Sequence, residues 1–568
     1  MTARSGHDVR SSERGISTAA SADDAELENP RVAVVVTAPV KVESRSARSC
    51  LMTDRGVQQN VGQLLTKRAA RDPGAEAIFE PANGRRLSYS ELNSRSNQVA
   101  HALIEGGVGL GDRVALLLMN GTEFVESFFA IAKIGAVNVP LNWRLVADEL
   151  EFILADAGAT VIIFGSEFTE IVDELRGRGE ATSIATWIQV GGEALDGTIG
   201  YEGWMSAASS AEPTPSGSGD DLVFIMYTSG TTGLPKGVMH SHDTVLWSIL
   251  TGAATADFRT GDRYLNSLPM FHVGALNPVL VCVYAGVALV VLKAFDPTLS
   301  WELIRDERIT STLMVPVMLQ YMLAVRDPAI HDATSLRWIM SGAAPVAKTL
   351  IEQYAALDIE IHQVYGLTET CGPGCLISSA EAITRAGSTG RAFYFTEVRV
   401  VREDGTDCDP DESGEVLLKG PHIMVGYWNQ PKATEEAIVD GWLHTGDVAT
   451  IDDEGFVTIV DRVKDMLISG GENVYPAEIE SVLLAHDKIA DVGVIGVPSD
   501  RWGESPLAVV VASDPTLTAA EVIEFCTGKL APFKAVKAVE FVTELPRNAS
   551  GKILKRELRE QFVETLAR

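Results

Sequence analysis

"YTSGTTGLPKG", residues 227–237, concentrates three glycines, four serine or threonine side chains and one lysine in one short segment. It follows the apolar run "LVFIM" and precedes "DTVLWSIL", which has the periodicity of a helix. Glycine lets backbone N–H groups approach a ligand closely, while hydroxyls add donors and lysine adds a positive charge. We therefore predict a strand, a loop and a helix whose N-terminus helps the loop to bind phosphate oxygens.

Two other interpretations of this segment are less favourable. A solvated linker rarely follows a buried strand directly or holds a lysine between a proline and a glycine, as Pro235 and Gly237 hold Lys236. The Walker pattern requires glycine before the lysine and serine or threonine after it, and neither residue is present. The segment therefore predicts a phosphate-binding loop of a different type.

The residues on either side of the loop predict an α/β fold. From about residue 60 to residue 461, apolar runs such as "RVALLLMNG", "ATVIIFG" and "STLMVPV" alternate with amphipathic stretches. Short buried runs between helical segments are typical of parallel strands covered by helices. The pattern changes after residue 461, which favours a small separate α+β unit.

We expect three parts in the chain. Residues 1–51 are expected to be a disordered tail, or to reflect a start codon placed too early. Residues 52–461 are expected to form a large N-terminal domain of α/β subdomains with mixed sheets. Residues 462–568 are expected to form a small, mobile α+β C-terminal domain. The joint is predicted in "VDRVKDMLISGGENVYP", where charge is dense and a glycine pair allows unusual backbone angles.

Composition narrows the choice of partners. The chain of 568 residues is too long for one core, and its net charge of −30 argues against nucleic acid and against broad binding to anionic lipid. The six scattered cysteines suit a reducing cytosol, so we expect a cytoplasmic protein.

The apolar run at residues 278–292 is too short to span a membrane and predicts a helix, a turn and a strand. Peripheral membrane contact and a homodimer are left open.

Further motifs follow the loop in a characteristic order. They are "LPMFHV" (268–273), "SGAAP" (341–345), "YGLTET" (365–370), "GWLHTGD" (441–447), "DRVKDMLISGGENVYP" (461–476) and "PRNASGKILKR" (546–556). Together they resemble the adenylate-forming superfamily of acyl-CoA synthetases, peptide-synthetase adenylation domains and firefly-type luciferases. The resemblance extends from about residue 52 to the C-terminus, and the carboxyl half is most similar to bacterial fatty acyl-CoA synthetases.

The resemblance implies that ATP, with Mg²⁺, activates a carboxylic acid and that the thiol of coenzyme A then displaces AMP. Both steps develop negative charge at phosphorus or at an acyl oxygen, so the site must supply cations and hydrogen-bond donors. The residues that match the family's ATP site are Thr228, Ser229, Gly230, Thr231, Thr232, Gly233, Lys236, Gly342, Ala343, Ala344, Tyr365, Gly366, Leu367, Thr368, Asp447, Arg462 and Lys552.

The resemblance also implies individual roles at the phosphate and metal end. Residues 228–236 would surround the β- and γ-phosphates. Thr228 and Glu369 would lie at the Mg²⁺ ion, a hard cation that takes few protein carboxylates and several ATP oxygens. Taken alone, each hydroxyl could belong to an ordinary turn and Glu369 could be a solvated surface residue.

Other matched residues would bind the nucleoside. Tyr365 would stack on adenine, and Asp447 would accept both ribose hydroxyls. Arg462 would reach the ribose or the phosphates, with a surface salt bridge as the alternative. Gly342 and Ala343 would let the base approach the backbone. Core packing is the alternative for this "SGAAP" segment, and it is retained for Ala344.

Lys552 is expected to be the main catalytic residue, because it matches the lysine that bridges the carboxylate and the α-phosphate. In the family the small domain then rotates about a residue that matches Lys464. The rotation removes the lysine and brings the matches of Ser469, Gly470 and Gly471 to the pantetheine arm of coenzyme A, where glycine allows close passage.

His272 matches an aromatic or histidine position near the acyl carboxylate, and we assign it to positioning or gating of the acyl pocket. The alternative is a buried histidine with satisfied hydrogen bonds. Cys371 and Cys375 are close in sequence, but no second cysteine or histidine pair accompanies them, so we expect them in the pocket wall.

The acid is expected to have a hydrophobic tail, most favourably that of a medium- or long-chain fatty acid. Amino-acid adenylation domains place an aspartate after the "FH" motif, whereas "MFHVGALNPVLVCVYAG" has no acidic residue to pair with an ammonium group. An aryl, alicyclic or steroid-derived acid stays open. So do an enzyme that loads a carrier protein or stops at acyl-AMP, a luciferase-like oxygenase and a non-catalytic nucleotide-binding regulator.

Overall fold

The structure of the protein is a computed structural model. It describes residues 59–228, 235–344, 346–378, 380–462, 465–469, 472–499, 503–527, 529–530, 534–547 and 553–566. The chain alternates strands and helices over most of this length, so the predicted α/β class is correct.

The strands are numbered in chain order. They are β1 Glu76–Glu80, β2 Arg85–Ser88, β3 Arg113–Leu117, β4 Val137–Pro140, β5 Val161–Gly165, β6 Thr186–Val190, β7 Ile199–Gly200, β8 Leu222–Thr228, β9 Lys236–Ser241, β10 Arg263–Asn266, β11 Ala288–Val291, β12 Ser311–Met314, β13 Trp338–Ser341, β14 Glu360–Tyr365, β15 Cys375–Leu376, β16 Arg391–Ala392, β17 Glu397–Val401, β18 Gly414–Lys419, β19 Gly426–Tyr427, β20 Ile438–Val439, β21 Trp442–Ile451, β22 Val457–Arg462, β23 Leu467–Ser469, β24 Glu472–Val474, β25 Ile489–Ser499, β26 Gly503–Ala512 and β27 Ala538–Phe541.

The helices are numbered in the same way. They are α1 Gln63–Arg71, α2 Tyr89–Glu105, α3 Thr122–Lys133, α4 Ala147–Ala157, α5 Thr169–Gly177, α6 Tyr201–Ser206, α7 His242–Thr255, α8 Val273–Ala285, α9 Pro297–Asp306, α10 Pro316–Val325, α11 Lys348–Ala355, α12 Pro431–Ala437, α13 Pro476–Leu483, α14 Ala519–Cys526 and α15 Lys555–Leu566. Short 3₁₀ turns occur at Ser166–Phe168, Gly179–Thr182 and Thr368–Thr370.

Two large mixed sheets carry most of the described strands. One has the order β16-β15-β14-β13-β12-β10-β11-β1-β2, with parallel strands in its centre and antiparallel strands at both edges. The other has the order β19-β9-β8-β4-β3-β5-β6-β7, and its antiparallel pairs are β8–β9 and β9–β19. Side chains point to the apolar layers on both faces, as expected for parallel strands covered by helices.

The main hydrophobic core lies between the two large sheets. It combines β3 and β8 of one sheet with β1 and β11 of the other, and with helices α2, α3, α7 and α8. A second cluster packs α9, α10 and α11 on the opposite face of the first sheet, and a third packs α4 and α5 on the opposite face of the second. The carboxyl ends of parallel strands are where open α/β sheets bind ligands.

One prediction about the opening segment is wrong. The strand before the loop is β8, but the loop leads into the antiparallel strand β9 and not into a helix. Helix α7 begins at His242, after β9, which has the length of six residues, or roughly 20 Å. Helix α7 therefore begins at the opposite end of β9 from the loop, and its N-terminus is not placed there to bind phosphate.

The strands after β16, apart from β19, form two smaller sheets. Strands β17, β18, β20, β21 and β22 build an antiparallel sheet. Strands β23 to β27 build another sheet, against which α13 and α15 pack. The domain boundary at residue 461 and the hinge at Lys464 stay predictions, and Lys464 lies outside the described residues.

The apolar segment at residues 278–292 folds as predicted. It forms the end of α8, a left-handed turn at Gly286 and strand β11. In the described part of the chain, no helix combines the length and apolar character needed to cross a membrane.

Candidate active site

The ends of the predicted phosphate loop are adjacent in the structure. Thr228 ends β8, Lys236 begins β9, and the two residues are register partners across the antiparallel pair. Both are partly buried. Residues 229–234 of the loop, which include Ser229, Gly230, Thr231, Thr232 and Gly233, lie outside the described residues.

Lys236 and Glu369 contact the same tyrosine. The Lys236 Nζ atom lies 4.8 Å from the centroid of the Tyr427 ring, and the Tyr427 hydroxyl donates a hydrogen bond of 2.9 Å to Glu369 Oε1. Burial, followed by the Glu369 carboxylate, raises the pKa of Tyr427, so its hydroxyl is protonated and available as a donor. The predicted phosphate ligand and the predicted metal ligand are thus brought together.

The short turn Thr368–Thr370 is fixed to its neighbours through the backbone. The Glu369 carbonyl accepts a 2.8 Å hydrogen bond from the Met424 N–H. The Thr368 carbonyl lies 2.8 Å from His240 Nε2, which must donate because a carbonyl can only accept. Burial lowers the pKa of His240 to about 4, so this histidine is neutral near pH 7.

The residues predicted to bind the nucleoside also lie together. The Tyr365 hydroxyl donates a 2.7 Å hydrogen bond to Oδ2 of Asp447, whose side chain is buried. Burial, and then the Asp447 carboxylate, raises the pKa of Tyr365. Arg462 ends β22 directly opposite Asp447 in the strand register. The side chain of Arg462 lies outside the description, so its salt-bridge alternative stays open.

Close backbone approach explains two of the predicted glycines. A Cβ atom at Gly342 would lie 2.4 Å from the Val364 carbonyl oxygen, and one at Gly366 would lie 1.5 Å from the Gly372 carbonyl oxygen. Larger residues at either position would therefore displace the backbone that follows β13 or β14. The adjacent Leu367 N–H donates to Thr370 Oγ1 at 3.1 Å, which stabilises the turn before Glu369.

The "SGAAP" segment is open to solvent in its second half. Ala343 and Ala344 are both exposed, so the core-packing alternative retained for Ala344 is wrong. Ala343 has φ of +67°, a backbone conformation that is unfavourable for a residue with a Cβ atom. Such strained residues cluster at ligand sites, and this one lies two residues after the end of β13.

His272 is a partly buried histidine with one ring nitrogen that is not hydrogen-bonded to any described residue. It is the N-cap residue of α8, and its Nε2 atom is buried without a hydrogen-bond partner among the described residues. The centroid of its ring lies 4.5 Å from the centroid of the Phe271 ring. Burial, with a smaller contribution from the Arg144 guanidinium, lowers the pKa of His272 to about 4. The alternative of a histidine with satisfied hydrogen bonds is therefore wrong.

Several predicted residues fall outside this description. Lys552, Gly470 and Gly471 are among the residues that the structure does not describe. Ser469 ends β23, next to that glycine pair, and its side chain is buried. Their catalytic and coenzyme A roles stay predictions.

Cys371 and Cys375 are buried, unpaired thiols. Burial raises the pKa of both to about 12, so both thiols are neutral near pH 7. Cys375 lies in β15, opposite Tyr365 in the register.

The residues near Glu369 suit a cation that is bound mainly by its ligand. Of the predicted metal ligands, Glu369 is partly buried and Thr228 is the last described residue before the loop, so the described residues include one candidate carboxylate and one candidate hydroxyl. Among the described residues, no group of three or more His, Cys, Asp or Glu side chains could hold a metal. This small donor set fits Mg²⁺, which keeps several waters and binds substrate phosphates.

Sequence reasoning missed Tyr427 and His240. Tyr427 follows "PHIMVG", and its place beside Lys236 depends on the pairing of β19 with β9, far away in the sequence. His240 lies two residues before helix α7, after Val238 and Met239 in the short strand β9. The only local signal for it is a polar residue at a buried strand position.

Family models match both parts of this region. The model described as AMP-binding enzyme matches residues 65–428, which is more than half of the chain. A second model, the AMP-binding enzyme C-terminal domain, matches residues 478–552. The chain belongs to the AMP-binding enzyme family.

Individual relatives of this AMP-binding enzyme agree with that assignment. It is 44% identical over 509 residues to the long-chain-fatty-acid–CoA ligase FadD13 of Mycobacterium tuberculosis, covering 89% of this chain and 99% of the relative. It is 39% identical to a feruloyl-CoA synthase of Amycolatopsis sp over 507 residues, covering 89% and 99%. Among solved structures, the Mycobacterium tuberculosis fatty acyl CoA synthetase matches with a TM-score of 0.73 and 43% identity, covering 89% and 99%. The adenylate-forming fold is thus shown.

Proposed function

We propose that this AMP-binding enzyme converts a hydrophobic carboxylic acid, ATP and coenzyme A into an acyl-CoA, AMP and pyrophosphate. The chain is an acid–thiol ligase, a class to which its relatives' names and its family both point. The observation that carries the proposal is the contact of Lys236 and Glu369 with one tyrosine, at the mouth of the predicted phosphate loop.

The nucleotide is proposed to bind along the strand ends. Tyr365 and Asp447 receive the adenosine, with Gly342 and Ala343 beneath the base. Because Tyr365 donates to Asp447, the carboxylate is already oriented before ribose binds. Lys236 and the loop before it hold the β- and γ-phosphates and stabilise the charge of departing pyrophosphate.

When bound, Mg²⁺ neutralises charge on the ATP phosphates. Glu369 and Thr228 are proposed to hold it, with the Glu369 carboxylate oriented by the Tyr427 hydroxyl. Neutral His240 donates to the Thr368 carbonyl and stabilises the turn that carries Glu369.

The acid is proposed to attack the α-phosphorus through its carboxylate oxygen, which forms acyl-AMP and expels pyrophosphate. Lys552 bridges the carboxylate and the α-phosphate in this step. The thiol of coenzyme A then attacks the acyl carbon, and AMP leaves with the bond electrons. For this second step we propose rotation of residues 462–568 about Lys464, with Ser469, Gly470 and Gly471 beside the pantetheine arm.

A hydrophobic acid suits the surroundings of His272. Helix α8, which begins next to it, has no acidic residue, and its side chains at Leu276, Val279 and Leu280 are buried. An ammonium group would find no carboxylate on this helix. A fatty acid is the first candidate, since the fatty-acid–CoA ligase relative is 44% identical. An aryl acid is the second, because the feruloyl-CoA synthase relative covers the chain equally well.

The test is a panel of fatty, aryl and alicyclic acids incubated with ATP, Mg²⁺ and coenzyme A. We expect AMP and pyrophosphate in equal amounts, an acyl-CoA product, and pyrophosphate release that also occurs slowly without coenzyme A. ADP as the nucleotide product would refute the proposal. Unchanged product formation without coenzyme A, ending at acyl-AMP or on a carrier protein, would refute the thioester step.

A further inference from the structure

We propose that Tyr427 is a positioning residue that orients Glu369 toward the metal ion and Lys236 toward the ATP phosphates. This inference rests on the proposed function, because it concerns how the same site holds its nucleotide. Tyr427 itself would touch neither the reacting carboxylate nor the α-phosphorus.

The first observation is that one side chain contacts two opposite charges. The hydroxyl of Tyr427 donates to Glu369 Oε1 at 2.9 Å, and the Lys236 ammonium lies 4.8 Å from the centre of its ring. Among the described residues, neither Glu369 nor Lys236 forms an ion pair, although both are partly buried. Both charges are therefore held in place and left available for a ligand.

The second observation is that Tyr427 is fixed through its backbone to the strand that carries Lys236. Strand β19 pairs with β9, with Tyr427 opposite Val238. The Trp428 N–H donates to the Gly237 carbonyl at 2.7 Å, and the Tyr427 N–H donates to Thr434 Oγ1 at 2.9 Å. A shift of this tyrosine would therefore require breaking strand pairing.

The third observation is that Asp156 connects this strand to the other end of the loop. Its carbonyl accepts a 2.8 Å hydrogen bond from Trp428 Nε1, and its Oδ2 atom accepts one of 2.6 Å from the Tyr227 hydroxyl. Trp428 is the neighbour of Tyr427, and Tyr227 is the neighbour of Thr228. Asp156 thus links the chain neighbour of Tyr427 to the chain neighbour of Thr228.

Buried tyrosine hydroxyls of this chain donate to backbone carbonyls or to carboxylates. Tyr354 donates to a backbone carbonyl at 2.9 Å, and Tyr201 donates at 2.8 Å to Glu126, which is also paired with Arg95. Tyr427 differs from both, because it donates to a carboxylate that has no ion pair among the described residues. Hydrogen bonds to metal-ligating carboxylates orient them, and their loss typically weakens metal affinity about 10- to 100-fold.

The test separates the hydroxyl from the ring. In Tyr427→Phe the ring stays beside Lys236 but the donor to Glu369 is lost, whereas Tyr427→Leu removes both. The matched control is Tyr354→Phe, which also removes one hydroxyl that donates a single hydrogen bond. Mn²⁺ serves as the metal probe, and its binding to the enzyme–ATP complex is followed by electron paramagnetic resonance. ATP binding without metal is measured by calorimetry in EDTA.

We expect Tyr427→Phe to weaken Mn²⁺ binding in the ATP complex about 10-fold and to leave metal-free ATP affinity within about twofold. Tyr427→Leu should weaken metal-free ATP binding by a further factor of about 2 to 5, because a cation–π contact is lost. The control should change neither quantity. Equal effects of Tyr427→Phe and the control would overturn the proposal.

A double variant tests whether Tyr427 acts through Glu369. If it does, adding Tyr427→Phe to Glu369→Gln should weaken Mn²⁺ binding no further than Glu369→Gln alone. Additive losses would overturn the proposal. Melting temperatures identify any variant that fails to fold. In that case the Mn²⁺ affinity of Glu369→Gln is compared directly with that of the wild type. Failure of the wild type to release AMP would refute the proposed function, and unaltered Mn²⁺ binding would refute only this inference.

Discussion

The phosphate end and the acid end of the candidate site differ in how their polar groups are satisfied. At the phosphate end, Glu369 accepts from Tyr427 and the Thr368 carbonyl accepts from His240. At the proposed acid end, the Nε2 atom of His272 is buried without a partner among the described residues. We propose that the first end is organised before its ligand binds and that the second is completed by its ligand.

This difference indicates which part of the site is common to all acids and which part selects among them. A preorganised phosphate end holds ATP in the same way whichever acid is bound. Its fixed charges and hydrogen-bond donors lower the activation barrier of the reaction. An unsatisfied buried nitrogen has a cost of about 1–3 kcal/mol, which a ligand's polar group can recover. We therefore expect changes at the phosphate end to affect all acids equally and changes near His272 to affect acids selectively.

The largest effect is expected at Lys552, the residue proposed to join the two ends. Lys552→Ala should lower the adenylation rate about 10²- to 10³-fold, because a contact made in the transition state is lost. Thioester formation from supplied acyl-AMP should be largely spared, as the lysine is proposed to leave before that step. Rapid-quench assays of each half-reaction measure this. Equal loss of both steps would contradict the domain rotation.

The next largest effect is expected at Glu369. Glu369→Gln should lower kcat/KM about 100-fold for every acid, since charge compensation by the metal is worth several kcal/mol. The half-saturating Mg²⁺ concentration should rise as well. Steady-state assays with a fatty and an aryl acid check the prediction. An effect that differs between the two acids would contradict the proposal that the phosphate end acts equally on all acids.

A smaller, selective effect is expected at His272. His272→Leu should change kcat/KM for the preferred acid by about 10-fold, because a single hydrogen bond to a charged group is worth about 1.5–3 kcal/mol. The KM for ATP should stay within about twofold. Acid panels measured on wild type and variant test this. An unchanged acid profile would mean that His272 does not face the acid.

The stability of the same variant should change in an unusual direction. Removing an unpartnered buried nitrogen should raise the free energy of unfolding of His272→Leu by about 1 kcal/mol. His240→Leu is the matched control and should lower it, since His240 donates to the Thr368 carbonyl. Urea unfolding at pH 7.5 measures both. Destabilisation of both variants to the same extent would show that His272 is satisfied.

The smallest effect concerns pH. In the folded protein the pKa of His272 is about 4, whereas an unfolded histidine titrates near 6.5, so the unfolded chain binds the extra proton between these values. This histidine's contribution to stability is present above pH 6.5 and is lost as the pH falls toward 4. His272→Leu should therefore reduce the loss of stability below pH 6.5 by about 1 kcal/mol per pH unit. Urea unfolding at pH 7.5, 6 and 5 tests the sign.

Local patterns predicted the α/β class, the strand before the loop and the segment around Gly286, because each depends on neighbouring residues. The strand after the loop was missed, since "KGVMHS" is short and merges with the helix that follows. Tyr427 was missed because its contact with Glu369 depends on strand pairing between distant segments. Exposure of Ala344 likewise depends on how the chain leaves β13, which no apolar pattern encodes.

The central claim is that ATP binds with its phosphates between the β8–β9 loop and Glu369. A crystal structure with a non-hydrolysable ATP analogue and Mg²⁺ tests it most directly. We predict a phosphate oxygen within hydrogen-bond distance of Lys236 Nζ, the metal on the Glu369 carboxylate and the ribose hydroxyls on Asp447. A nucleotide bound elsewhere, or a metal that does not contact Glu369, would contradict the account.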